Sequence, residues 1–214
     1  MTNWAQVERQ ALAADFEKLG PDVDTLCTGW NARKLAAHVI VRERRPDAAV
    51  AGLAAAAAQP LKDYAASVLR GEAQRPWGEL ITLVRTGPPI WSPLRIEPVD
   101  VRVNTVEFFV HHEDLRRAQV GWQPRVLSDE QADDLWGKVV GSARLFLRRL
   151  PVGLLLQRPG GRAVRVSDGE PAVTVVGEPG ELALYMTGRR DHANVELQGD
   201  DDALAQLAAA TIRA

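Results

Sequence analysis

Apolar residues in this chain recur with a helical period up to about residue 150 and with a two-residue period after it. Trp4, Val7, Leu12 and Phe16 predict a first helix, capped by Thr2 or Asn3 and closed by Gly20-Pro21 near Leu19. A connector, DVDTLCTGW, leads to a second helix that carries LAAHVIVRER, capped by Thr28 or Asn31 and interrupted at Pro46. Ala48 to Ala58 is a low-complexity helical stretch, either an interface, which allows a homodimer, or an internal helix. Pro60 opens a helix through Leu69 and Pro76 another through Val84. The segment TGPPIWSPLRIEP, with four prolines, is a long loop and a candidate lid or pocket wall. Ser128 with Gln131 forms a capping box for a helix that runs to about Leu150. Beyond Pro151, GLLLQRP, RAVRVS, PAVTVVG and NVELQG read as strands. Glu178 to Gly188 and Asp201 to Ile212 read as helices, the last capped by Asp200 or Asp201. The change of period predicts an α + α/β chain of two domains, a helical one over 1–150 and a small α/β one over 151–214.

The stretch Val99 to Ala118, VDVRVNTVEFFVHHEDLRRA, organises the first domain. At about 100° per residue, Asp100, Asn104, Glu107, His111 and Asp114 share one polar stripe. Val103, Val106 and Val110 flank it on one side, and Val101, Phe108 and Leu115 on the other, so the stripe points inward. Arg102, Glu113 and Arg116 fall opposite, where solvent is expected, and His112 falls toward the same outer half as a surface or supporting residue. Buried ionisable groups are costly unless paired, hydrogen-bonded or bound to metal. Glu107 and His111, four apart, stack on one helix face. They can share a metal ion or simply hydrogen-bond to each other.

Composition narrows the chemistry. The chain has 214 residues, 46% hydrophobic and 25% charged, which is the profile of an ordinary soluble globular protein. A net charge of −2 argues against a general nucleic-acid binder. The single cysteine, Cys27, forbids an intramolecular disulfide and points to a reducing cytoplasm. The N-terminus is an amphipathic helix and not a signal peptide, and the Ala-rich run is too short to span a membrane. There is no G-x-S-x-G, phosphate-binding loop, G-x-G-x-x-G or H-E-x-x-H, which removes most support for hydrolases, nucleotide enzymes and classical metalloproteases. His38 on the second helix can complete a three-ligand set with Glu107 and His111, or be a hydrogen-bonded core histidine. Asn104 and Asp114, one turn either side, can orient the imidazole or hold a water. Arg42 lies one turn beyond His38, where a guanidinium can hold a carboxylate substrate, whereas Arg44 reads as a solvated charge. Arg189 and Arg190 follow Gly188 at a helix end and either reach back to the first domain or act as helix-end charges. Cys27 reads as a small apolar residue rather than a nucleophile.

LCTGWNARKLAAHVIVRERRPDA resembles the GW-x-x-x-x-L-x-x-H signature of the mycothiol-dependent maleylpyruvate isomerase family. VEFFVHHEDLRRA resembles its second metal helix, and GEPGELALYMTGRRDHANVELQGDDDAL resembles the end of its C-terminal domain. The resemblance is nearest to an actinobacterial branch described as metal-binding. It implies a DinB-like four-helix bundle followed by a sterol-carrier-like α/β domain. It also implies a divalent metal, zinc by preference, on His38, Glu107 and His111, and mycothiol as co-substrate. An open metal position lowers the pKa of a bound thiol. In the isomerase the thiolate adds to a cis double bond beside a carbonyl, and rotation and elimination leave the trans isomer. Gly188-Arg189 matches a GR step of the second domain, which implies that Arg189 aids substrate binding. The Ala-rich segment and the proline-rich loop match nothing associated with maleylpyruvate recognition, so fold and metal transfer better than substrate does.

The reading is a metal-dependent cytoplasmic enzyme that uses a low-molecular-weight thiol for isomerisation of, or transfer to, a small electrophile. Arg42 and Arg189 act on substrate, and Asn104 stands beside the bound group. The alternative is a non-catalytic metal- or ligand-binding protein on the same bundle. A closed site recruiting Asp114 or His112 favours that alternative, and an open position favours the enzyme. A polar network with no metal is the third reading.

Overall fold

The computed structural model describes residues 2–54, 58–147, 150 and 152–210, and the statements below concern those residues. Helix α1 (Trp4–Leu19) opens at Asn3, whose side chain accepts the Gln6 N–H at 3.0 Å. Helix α2 (Ala32–Arg44) opens at Asn31, which accepts the Lys34 N–H at 3.1 Å. Each side chain satisfies one of the donors that a helix start leaves without an intrahelical acceptor. Pro46 begins α3 (Pro46–Leu53), because a first-turn proline lacks only an N–H that the helix does not use. Helices α4 (Gln59–Ala73) and α5 (Trp77–Thr86) follow. Part of the Ala-rich stretch, 55–57, lies outside the described residues.

The proline-rich segment contains a short 3-10 turn at Pro93–Arg95, and the Arg95 guanidinium donates to the Pro88 carbonyl at 3.1 Å. It leaves Ile90 and Trp91 exposed. Helix α6 (Glu97–Arg116) starts two residues before the expected Val99, with Pro98 in its first turn.

The chain divides into two compact units, Met1–Gln123 and Pro124–Ala214. In the first, four helices build the core. Leu12 and Phe16 of α1, Leu35 and Ile40 of α2, Leu80 and Val84 of α5, and Phe108 and Leu115 of α6 are buried together. Each such large side chain contributes roughly 1.5–3 kcal/mol by leaving water. Phe16 meets Trp77 edge-on, with ring centroids 5.5 Å apart.

The second unit begins with α7 (Asp129–Phe146), opened by Ser128, which accepts the Gln131 N–H at 3.3 Å. Strands β1 (Gly153–Gln157), β2 (Val164–Asp168), β3 (Ala172–Val176) and β4 (Glu196–Gln198) form one sheet in the order β2-β1-β3-β4. β1 and β3 are parallel neighbours, with Leu154 opposite Val173 and Leu156 opposite Val175, and both outer pairings are antiparallel. These alternate residues are buried, and α7 and α8 (Pro179–Met186) pack within this unit. Helix α9 (Asp201–Ala209) is capped by Asp200, which accepts the Ala203 N–H at 2.7 Å. The stretch expected to carry it on to Ile212 lies outside the described residues from 211. The expected boundary near 150 marks the change of period, but the compact units part at 123/124. Helix α7 has a helical pattern like the bundle's, yet its apolar side packs on α8 and β2, which periodicity alone does not reveal.

A buried ion pair locks α1 to α2. The Arg9 guanidinium, fully buried, donates from Nη1 to Glu43 Oε2 at 2.8 Å and from Nη2 to Glu43 Oε1. It also donates to the Val84 carbonyl of α5 at 3.3 Å and lies 4.2 Å over the Phe108 ring of α6. One side chain thus touches all four core helices. Gly87, at φ +76°, sits against it, and a Cβ there would come within 3.2 Å of the guanidinium carbon. Breaking a buried pair costs about 3–5 kcal/mol, and without Glu43 the Arg9 guanidinium would keep only the more distant Asp100 carboxylate, 3.6 Å from Nη2. Glu43→Ala is therefore expected to lower unfolding stability by about that amount, read from the urea midpoint at constant slope.

Candidate functional site

The inward stripe of α6 is real, and α2 faces it. His38 Nε2 lies 3.5 Å and His111 Nε2 lies 3.2 Å from the same oxygen, Glu107 Oε1. The two imidazoles meet edge-on with centroids 5.1 Å apart, and the donor atoms of all three residues lie within 4.8 Å of one another. The His38 and Glu107 side chains keep 31% and 30% of their exposure, so a small molecule can reach them. Trp30, at the end of the connector, packs its ring 5.2 Å from the His38 ring.

On the far side of His111, Nδ1 lies 2.9 Å from Asp114 Oδ2. An ionised carboxylate only accepts, so Nδ1 carries a proton and Nε2 is turned toward Glu107. In the neutral ring that leaves a lone pair facing a carboxylate oxygen, an arrangement that calls for a cation between them. Either a proton on Nε2 or a metal ion supplies it. Burial opposes charging His111, but the bonds to Asp114, Cys27 and Glu107 outweigh it and hold the imidazole pKa well above its usual value. Burial likewise opposes ionisation of Glu107, but bonds from His111 and His38 prevail and hold its pKa well below normal. For His38, burial prevails over the Glu107 bond, so the ring tends to neutrality, with one ring nitrogen's lone pair available to a ligand. Two nitrogens and a carboxylate oxygen with an outer carboxylate on one imidazole form a donor set that fits a borderline divalent ion such as zinc.

The other expected residues separate into groups. Asn104 is fully buried; it donates to Asp100 Oδ1 at 2.6 Å and accepts from Arg42 Nη1. Arg42 Nε lies 3.1 Å from Glu107 Oε1. Arg44 donates to the Gly87 carbonyl at 2.6 Å rather than standing solvated. Arg189 belongs to the second unit, where it donates to the Thr187 carbonyl at 2.6 Å beyond α8, and Arg190 donates to the Leu207 carbonyl at 2.9 Å.

Two expectations on α6 are overturned. His112 is buried, with Nδ1 2.7 Å from Glu8 Oε2 and Nε2 3.0 Å from Asp15 Oδ2, both on α1. Glu113, expected in solvent, is completely buried and bound by Arg116 and by Arg117, each at 2.6 Å. All of α6 from Phe108 to Leu115 is buried: α1 meets His112 on the side that a wheel assigns to water, and Arg116 and Arg117 pair with Glu113. His112 stands apart, bound to Glu8 and Asp15, whereas Asp114 bonds the other nitrogen of His111 and forms with Cys27 and His111 a second group of possible metal donors.

Cys27 was expected to be a packing residue. It does pack against the core, but its Sγ also lies 3.2 Å from Asp114 Oδ2, the oxygen that holds His111. The connector is fixed there by the Leu26 N–H donating to the Asp114 carbonyl at 2.9 Å. No spacing signal in the sequence links residue 27 to residue 114.

The His112 contact makes an acid-sensitivity prediction. The bond from His112 outweighs burial and lowers the Asp15 pKa below its ordinary value of 3.8. A carboxyl depressed in the folded state contributes stability that is present above its unfolded pKa and is lost as pH falls through the folded one. Asp15→Asn should therefore flatten the decline of thermal stability on acidification below about pH 4, measured by calorimetry across a pH series.

Comparison with known proteins follows this geometry. Residues 123–206 match the family model of the MDMPI C-terminal domain. The crystal structure of a mycothiol-dependent maleylpyruvate isomerase has the same fold, with a TM-score of 0.60 over 92% of this chain and 91% of the other, at 14% sequence identity. No curated protein matches in sequence.

Proposed function

We propose that this chain, whose second unit belongs to the MDMPI C-terminal domain family and whose fold is that of a mycothiol-dependent maleylpyruvate isomerase, is a metal-dependent thiol enzyme. Its co-substrate is a low-molecular-weight thiol, mycothiol by analogy with the structural neighbour, and its substrate a small electrophile. The reaction is cis–trans isomerisation or thiol transfer. In isomerisation the sulfur adds to one alkene carbon, the bond rotates and elimination returns the thiol, so atoms balance without a further reactant.

The observation that carries this reading is the convergence of His38, Glu107 and His111 around one carboxylate oxygen, with a proton already assigned to the outer nitrogen of His111. These three residues would hold a divalent ion, which when bound supplies a positive centre that keeps a thiol ionised at neutral pH. Asp114 orients His111 and keeps Nε2 aimed inward. Partial exposure of His38 and Glu107 gives the thiol its approach. Three donors with His38 and Glu107 partly exposed leave room for a fourth ligand such as a thiol, which favours an enzyme over a closed structural site.

Elemental analysis of the purified protein beside Glu107→Ala/His111→Ala tests the reading. Near-stoichiometric divalent metal that disappears in the double variant is the expected result. Equal metal in both proteins, or none in either after zinc reconstitution, would remove the site and the enzymatic reading with it.

A further inference from the structure

Arg42 does not stand free at the rim of the cluster. Its three guanidinium nitrogens each face a protein acceptor: Nε toward Glu107 Oε1 at 3.1 Å, Nη1 toward Asn104 Oδ1, and Nη2 toward the Val103 carbonyl at 3.4 Å. Asn104 can accept from Arg42 only because its amide nitrogen is committed to Asp100 Oδ1 at 2.6 Å, which fixes the orientation of the amide. Asp100 is buried in turn, and its second oxygen accepts from Gln6 at 2.9 Å and Asn3 at 3.3 Å on α1. A hydrogen-bond chain therefore runs from the start of α1 through Asp100 and Asn104 to Arg42, whose guanidinium forms an ion pair with the carboxylate of Glu107.

We infer that Arg42 and Asn104 are positioning residues that hold the Glu107 carboxylate in its ligating orientation, and that they act as one unit. The inference rests on the metal reading above. Glu107 projects from a partly exposed helix face and has rotatable bonds to lose on binding. A planar guanidinium anchored on two neighbouring acceptors restricts that freedom before the ion arrives. Two effects of Arg42 oppose each other. Its charge repels a divalent ion, and its ion pair with Glu107 orders a ligand of that ion. The tethering of both Nη atoms to α6 favours the second, because a guanidinium serving only as a charge would need neither tether. Supporting partners of metal ligands typically change affinity by about 10–100-fold.

Metal-free wild type, Asn104→Ala, Arg42→Gln, Arg42→Lys and the Arg42→Gln/Asn104→Ala double variant are titrated with cobalt(II). Visible absorption reports affinity and coordination, and circular dichroism reports folding. Arg42 is partly exposed, so its variants keep the test intact if Asn104→Ala fails to fold. The expected result is a loss of about 10–100-fold for Asn104→Ala and Arg42→Gln, with the double variant no worse than the weaker single one. Arg42→Lys keeps the charge but cannot reach all three acceptors, so it recovers only part of the affinity. Tighter binding by Arg42→Gln would show that repulsion dominates and would overturn the inference. Wild-type affinity in the folded variants, or additive losses in the double variant, would do the same. Wild type that binds no cobalt would instead bring down the metal reading, a separate outcome visible before any variant is compared.

Discussion

Everything in the first unit depends on one helix that carries charge into a place without water. From Phe108 to Leu115, α6 is buried on every side, yet that stretch includes two histidines, a glutamate and an aspartate. An ionised group in such surroundings persists only with partners whose hydrogen bonds replace those of water. The neighbouring helices are arranged to supply them. Helix α1 brings Glu8 and Asp15 to His112, α2 brings His38 and Arg42 to Glu107, and the connector before α2 brings Cys27 to Asp114.

This explains why the bundle looks polar where most bundles are oily. Its apolar core lies toward Phe16, Leu35, Leu80 and Phe108, while the polar chain passes beside it on the α1–α6 and α2–α6 faces. Arg9 joins the two regions, its guanidinium bound to Glu43 and stacked on Phe108. Such pairs add little net stability over a well-packed apolar core, but they penalise any alternative register that separates them. A helix held in one register is also what keeps Glu107 and His111 opposite His38. The donor cluster therefore draws on interactions that also hold the helices together.

The second unit solves a different problem with different means. Its sheet buries alternate residues of β1 and β3, and α7 and α8 pack in the same unit. It matches the MDMPI C-terminal domain, whereas the donor cluster lies wholly within the first unit.

Local physics was legible in the sequence. Asn3, Asn31, Ser128 and Asp200 cap helices as their side chains require, all four expected strands form with β1 and β3 burying alternate residues, and the stripe from Asp100 to Asp114 faces inward. Glu107 and His111 could be paired from their four-residue spacing, whereas His38 was joined to them by the resemblance of its motif; the fold brings the donor atoms of all three within 4.8 Å of one another. The burial of His112 and Glu113 was not legible, since a helical wheel shows which residues share a face but not how many faces are covered. The fate of His112 depends on α1 packing across its side of the helix, through partners about a hundred residues away, and that of Glu113 on Arg116 and Arg117 folding back over the same helix end. The same holds for the unit boundary at 123/124 and for Cys27 beside Asp114. Periodicity and caps are properties of a segment, so the sequence determines them by itself. Which charge finds which partner belongs to the packed assembly, and only tertiary structure decides it.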